Sequence, residues 1–172
     1  MGDRKSNVVL TGFMATGKST VGRLLAVRRN ASYVDTDEII VGRHGSIEEI
    51  FATRGEAAFR EMERGIALEL EKTSGLVIAT GGRMMLDPDC AAALGSTGRV
   101  ICLVASIEEI KRRLLSDDDG LLRPLLAGSN EAELRLLYEE RVAGYSRFQQ
   151  VQTDRRSVEA VVEEIETFLG ND

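Results

Sequence analysis

Residues 7–20 read Asn-Val-Val-Leu-Thr-Gly-Phe-Met-Ala-Thr-Gly-Lys-Ser-Thr. An apolar run of strand length, Asn7–Thr11, passes into Gly12-Phe13-Met14-Ala15-Thr16-Gly17-Lys18-Ser19, which satisfies the pattern GxxxxGK[ST] at every fixed position. Helical periodicity follows from about Lys18, with Val21, Leu24, Leu25 and Val27 as the expected apolar face. A loop that wraps a phosphate must aim successive backbone N–H groups inward, and glycines permit the dihedrals and the close approach. The helix N-terminus adds its dipole. The strand–loop–helix context therefore marks Gly12, Ala15, Thr16, Gly17, Lys18, Ser19 and Thr20 as nucleotide-binding residues. Lys18 would bridge the β- and γ-phosphates of a nucleotide, and the Ser19 hydroxyl would ligate Mg²⁺.

Working outward, short apolar runs alternate with helical segments, the pattern of βαβ units and a mostly parallel sheet. Strands are expected at about 7–11, 32–34, 76–79, 99–104 and 149–153. A second helix begins near Asp37. A third begins near Ser46, where Ser46 and Glu49 form a capping box. The stretch GEAAFREMERGIALELEK forms a long helix with Phe59, Met62, Ile66, Leu68 and Leu70 available for its inner surface. Asp87-Pro88 opens a short helix through a cap and first-turn proline, and Ser106 with Glu109 caps another. Helices over about 131–147 and 157–169 complete the chain. Residues 116–129, SDDDGLLRPLLAGS, read as a loop suited to a mobile flap.

The 172 residues are 43% hydrophobic and 29% charged, as expected of a single globular domain. A net charge of −6 argues against a nucleic-acid surface, which rewards dense Lys and Arg. There is no apolar segment long enough to span a membrane and no room for a signal peptide before the first strand. The two cysteines, Cys90 and Cys102, lack metal-ligand spacing, and reduced thiols and a cytoplasmic location are expected. The only histidine, His44, precedes a glycine at what reads as a solvated helix end, which sets aside a histidine-based triad or zinc site.

Two further strand ends carry chemistry. The second ends in Asp35-Thr36-Asp37, where an aspartate also makes a good helix cap. The third ends in Ala79-Thr80-Gly81-Gly82-Arg83, without the aspartate that many phosphate-loop proteins place there for the metal. Asp35 is then the candidate to assist Mg²⁺, leaving Asp37 free to accept a hydrogen bond from a substrate hydroxyl. That division suits a kinase of a small polyol. No guanine-reading NKxD or DxxG motif is present.

Taken together, GFMATGKST, DTD, IFATRGEAAFRE, ATGG, RPLL and EERVAGY resemble the shikimate kinase family, of the nucleoside-monophosphate-kinase-like P-loop group, over nearly the whole chain. The resemblance implies a three-layer α/β/α fold with a five-stranded parallel sheet of order 2-3-1-4-5. It further implies an acceptor-binding helical region at about 35–63 and a monomer. The activity it implies is ATP-dependent phosphorylation of the 3-hydroxyl of shikimate, in the aromatic amino-acid precursor pathway. By the same resemblance Asp37 holds and deprotonates the acceptor hydroxyl, and Arg60 and Arg141 pair with the substrate carboxylate, with Glu63 orienting Arg60. Gly81 and Gly82 present backbone to the ring, Arg123 closes over the transferring phosphate, and Arg113 and Arg156 flank the adenine.

Three departures stand out. Arg83 replaces the family's third glycine, Ala15 stands where a glycine is common, and Ala143 replaces a frequent proline. Ala15 is tolerable if its φ is negative. Arg83 leaves two acceptor readings open: turned outward it leaves shikimate chemistry intact, whereas turned inward it favours a more negative acceptor, such as another hydroxylated acid or a phosphorylated one. A nucleotide-binding protein without catalysis is the third reading.

Overall fold

A computed structural model describes residues 6–116 and 129–170. The apolar runs become five parallel strands: β1 (Asn7–Thr11), β2 (Ser32–Asp35), β3 (Leu76–Ala79), β4 (Gly98–Val104) and β5 (Gln149–Gln152). They form one sheet of order β2-β3-β1-β4-β5. In register, Leu10 of β1 lies between Ala79 of β3 and Ile101 of β4.

Successive side chains of a strand point to opposite faces, so the buried β1 serves two core layers at once. Val8 and Leu10 pack with Val21 and Leu25 of helix α1 (Lys18–Arg29) and with Val162 and Ile165 of α7 (Val158–Leu169). Val9 faces the other side. There it meets Ile40 of α2 (Thr36–His44), Ile66 of α3 (Ile47–Leu70) and Leu94 of α4 (Pro88–Thr97). A third cluster joins Phe13 and Cys102 to Ile110 of α5 (Ile107–Leu115) and Tyr145 of α6 (Ser129–Tyr145). The result is a three-layer α/β/α fold. The connection leaving β1 crosses to β2, and that leaving β4 runs the other way to β5, so a crevice opens at the carboxyl ends of the central strands.

The serine and aspartate caps form, but the Ser106–Glu109 capping box is corrected: the Ser106 N–H donates to Asp154 and the Glu109 carboxylate pairs with Arg112 and Arg113. Ser46 accepts from the Glu49 N–H, Ser106 from Glu109, and Asp87 from Asp89 and Cys90. The element Ile47–Leu70 is interrupted at Gly55, φ 79° and ψ 170°, which divides it into the two helices expected from the sequence. His44 is exposed at the end of α2, and both cysteines are buried free thiols. Two expected core positions are corrected. Val27 is 78% exposed and Leu68 is 55% exposed. Each lies two residues beyond a buried neighbour, Leu25 or Ile66, and about 100° of rotation per residue carries it to the opposite side of the helix. A short 3₁₀ turn at Met84–Leu86, not anticipated, buries Met84 and Met85.

Candidate active site

The loop after β1 closes on itself. Gly12 has φ 135°, and a Cβ there would meet the Leu103 carbonyl oxygen at 2.3 Å, so only glycine lets the loop lie against β4. The buried Thr16 hydroxyl donates to the Phe13 carbonyl at 2.8 Å. Lys18 Nζ donates to the carbonyls of Gly12 and Phe13 at 2.9 and 2.8 Å. Burial lowers the Lys18 pKa to about 8, against the opposing pull of Asp37. Ala15 departs from the expected negative φ: it sits at +56°, in the left-handed region that an alanine enters at a cost of about 1–2 kcal/mol. Its carbonyl accepts from Arg113 Nη1 at 2.9 Å, which supports the loop in that conformation.

Arg113 also donates to the Thr153 hydroxyl and carbonyl at 3.1 and 2.7 Å, and to Glu109 Oε1 at 2.9 Å. It therefore ties the loop to the start of α5 and to the turn after β5. Arg156 lies across a 260 Å³ pocket that also takes in Gly17, Thr20 and Arg113. Its guanidinium donates to the Gln152 and Ala160 carbonyls at 2.9 Å each and pairs with Glu164.

On the other side of the loop, Asp35 performs two tasks. Its Oδ1 caps α2 by accepting from the Asp37 and Glu38 N–H groups at 2.9 and 3.4 Å. Its Oδ2 accepts from the Ser19 hydroxyl at 3.3 Å and from the Tyr33 hydroxyl at 3.2 Å. A hydroxyl and a carboxylate at the mouth of a phosphate loop are hard oxygen donors, and a divalent cation held mainly by phosphates and water needs no more. No cluster of three or more His, Cys, Asp or Glu side chains that could hold a metal occurs among the described residues.

The ends of β2 and β3 are locked together. The buried Thr36 hydroxyl accepts from the Gly81 N–H at 2.9 Å. Asp37 Oδ1 is buried without a hydrogen-bond partner among the described residues and lies so close to Gly81 that a Cβ there would meet it at 2.6 Å. Burial, reinforced by the Asp35 charge, raises the Asp37 pKa, while Lys18 and Arg60 oppose the shift. The Gly82 site is more permissive, since its nearest neighbour would be Arg141 Nη1 at 3.5 Å. The Tyr145 hydroxyl donates to the Gly82 carbonyl, tying α6 to the same loop.

Arg60, on α3, donates from Nη1 to Glu63 Oε2 at 2.7 Å, and Glu63 is only 2% exposed. Its Nε and Nη2 face Glu56 Oε1 at 3.2 and 2.9 Å. Arg141 lies over the Phe13 ring, 5.6 Å from its centroid. Arg83 is turned to the rim, 49% exposed, with Nη1 on Glu56 Oε1 at 2.9 Å. Arg60, Arg83, Arg141 and Glu56 all line a pocket of about 500 Å³. Arg123 and most of the flap segment lie outside the described residues.

The fold thus places the expected Lys18, Ser19, Asp35, Asp37, Gly81 and Gly82 at the carboxyl ends of the strands, with Arg60, Arg83 and Arg141 lining the 500 Å³ pocket and Arg113 and Arg156 the 260 Å³ one. Three contributors escaped the sequence reading: Thr36, Glu56 and Tyr145. Glu56 stands four residues before Arg60, a spacing that places the two on one helix face. Thr36 and Tyr145 carried no comparable signal, because their partners are backbone groups distant in sequence.

Comparison with known proteins gives concordant results. The family model described as shikimate kinase matches residues 14–169. A shikimate kinase of Geobacter sulfurreducens is 46% identical over 166 residues, covering 95% of this chain and 90% of its own. The shikimate kinase of Thermus thermophilus is 43% identical over 161 residues, covering 92% and 86%. Among solved structures, the shikimate kinase of Acinetobacter baumannii in complex with shikimate superposes with a TM-score of 0.85 at 31% identity, covering 98% of this chain and 95% of that one. With a match across nearly its full length, the same P-loop kinase architecture and relatives at these identities, the chain belongs to the shikimate kinase family.

Proposed function

We propose that this single kinase domain transfers the γ-phosphoryl group of ATP to the 3-hydroxyl of shikimate, giving shikimate 3-phosphate and ADP. The observation that carries the reading is the half-buried Asp37 carboxylate, whose buried Oδ1 has no hydrogen-bond partner among the described residues and lies against Gly81, backed by the arginines of the 500 Å³ pocket. A ring acid fits these groups. Its carboxylate would pair with Arg60 and Arg141, because a planar guanidinium matches a carboxylate with two parallel hydrogen bonds. Its hydroxyl would then donate to Asp37, which takes the proton as the oxygen attacks phosphorus. Glu63 would hold Arg60 at the working angle.

On the nucleotide side, the N–H groups of residues 15–20 and the Lys18 ammonium would take the β- and γ-phosphates. Arg113 and Arg156 would border the base, with Arg113 also holding the loop through Ala15. Ser19 and Asp35 would hold Mg²⁺, which when bound neutralises phosphate charge. Catalysis by this chain is then mostly positioning and charge compensation. Arg83 pairs with Glu56, which removes the reason for preferring a more negative acceptor. A coupled ADP-release assay over shikimate, quinate, gluconate and sugar phosphates tests the reading: shikimate should give the highest kcat/KM. ATP binding without turnover of shikimate would overturn it.

A further inference from the structure

The side-on edge of Arg60, formed by Nε and Nη2, can hold a carboxylate through two parallel hydrogen bonds. In this structure Glu56 holds it, with one oxygen, Oε1, accepting from both nitrogens at 3.2 and 2.9 Å. The remaining Nη1 is committed to Glu63. An acceptor carboxylate that docks on Arg60 therefore competes with a carboxylate already there, and two anions on one guanidinium edge repel. The same Glu56 oxygen also accepts from Arg83 Nη1 at 2.9 Å. Both Arg83 and Glu56 are half exposed, so the pair has room to swing at the pocket rim.

We propose that Arg83 is a positioning residue that draws Glu56 off Arg60 when the acceptor carboxylate docks, so that Glu56 serves as a displaceable cover for the Arg60 edge. This inference rests on the acceptor being a carboxylate, as in the function proposed above. Without acceptor, Glu56 balances the closely spaced cations Arg60, Arg83 and Arg141. Consistent with that crowding, the Arg141 pKa is lowered first by burial and then by the charges of Arg83 and Arg60. With acceptor, its carboxylate replaces Glu56 on Arg60, and Glu56 remains paired with Arg83. Replacing Arg83 by a residue without charge would leave Arg60 as the one cation hydrogen-bonded to Glu56 among the described residues, and acceptor binding would weaken. The backbone at Arg83, φ −119° and ψ −11°, lies outside the left-handed region and is open to glycine and lysine alike, so these substitutions do not strain the turn.

The test is steady-state kinetics of the full chain with shikimate for the wild type, Arg83→Gly, Arg83→Lys, Glu56→Gln and the double variant Arg83→Gly/Glu56→Gln. Arg83→Gly should raise the KM for shikimate about threefold with kcat unchanged, the size expected for loss of a half-exposed ion pair. Arg83→Lys should restore most of the affinity. In the Glu56→Gln background the Arg83→Gly effect should vanish, because no competing charge is left to hold away. An unchanged KM in Arg83→Gly, or a rise of the same size with and without Glu56, overturns the inference while leaving shikimate kinase activity in place. Absence of shikimate turnover in the wild type overturns the functional reading and this inference with it.

Discussion

Burial holds the Asp37 carboxyl above the ordinary carboxylate range, and the Asp35 charge adds to the shift while Lys18 and Arg60 oppose it. A carboxylate that must accept a proton works only when ionised, so the acidic limb of kcat/KM should fall at a higher pH than for an exposed aspartate. Asp37→Asn should lower kcat by a factor of about 10²–10⁴ while ATP binding, followed by calorimetry, survives. The same shift carries a stability consequence with a definite sign. The folded protein holds the Asp37 proton more tightly than the unfolded chain, so this contribution is full below the unfolded pKa and is lost as pH rises through the folded one. Asp37→Asn should therefore raise the Tm at pH 7, by about 2–4 °C per kcal/mol gained for a domain of this size, and the gain should shrink near pH 3. Lys18 titrates in the opposite region. Its ammonium, with a pKa of about 8, should lose its proton as pH climbs past that value, and ATP affinity should weaken with it. At this scale residue types and spacing pointed to the phosphate loop, Asp35 and Asp37, whereas Arg60, Arg141, Arg113 and Arg156 were expected through the family resemblance. The positive φ of Ala15 did not show, because its support comes from Arg113, 98 residues away.

At the scale of elements, close approach replaces titration as the controlling quantity. A methyl group on Gly81 would press on Asp37, so Gly81→Ala should cut shikimate turnover at least tenfold, an on-the-order-of estimate for a misplaced reacting group, with ATP affinity retained. A methyl group on Gly12 would strike the backbone of β4 instead. Gly12→Ala should therefore abolish ATP binding, read by the loss of nucleotide-dependent thermal stabilisation. Periodicity and capping residues placed the strands and most helices, since both are local properties. They failed at Val27 and Leu68, where an apolar residue follows a buried one but the helix has already turned away from the core. The 3₁₀ turn after Gly82 was also beyond such reading, as three residues offer no period to detect.

Across the whole molecule, the central strand joins the layers. Leu10 is fully buried between α1, α7 and its neighbouring strands, so Leu10→Ala should cost about 2–5 kcal/mol in denaturant unfolding. Both thiols are buried, and burial raises each pKa to about 12. Cys90 and Cys102 should therefore react with a thiol reagent only as the chain unfolds, at a rate that follows unfolding in denaturant. Fast labelling of either in native buffer would contradict the packing around that thiol.

The phosphate-loop pattern and the alternating strands and helices were legible in the chain, because each depends on neighbours a few residues apart, while the acceptor arginines were expected only through the family resemblance. Tertiary structure alone decided the rest. It set Thr36 on Gly81 and Tyr145 on Gly82, gave Ala15 the Arg113 support for its positive φ, and turned Arg83 toward Glu56 at the rim of the site. Each of these outcomes is a contact between segments far apart in sequence. A side chain at the end of IATGGR can point inward or outward with equal local ease, and only the carboxylate that α3 brings alongside settles which.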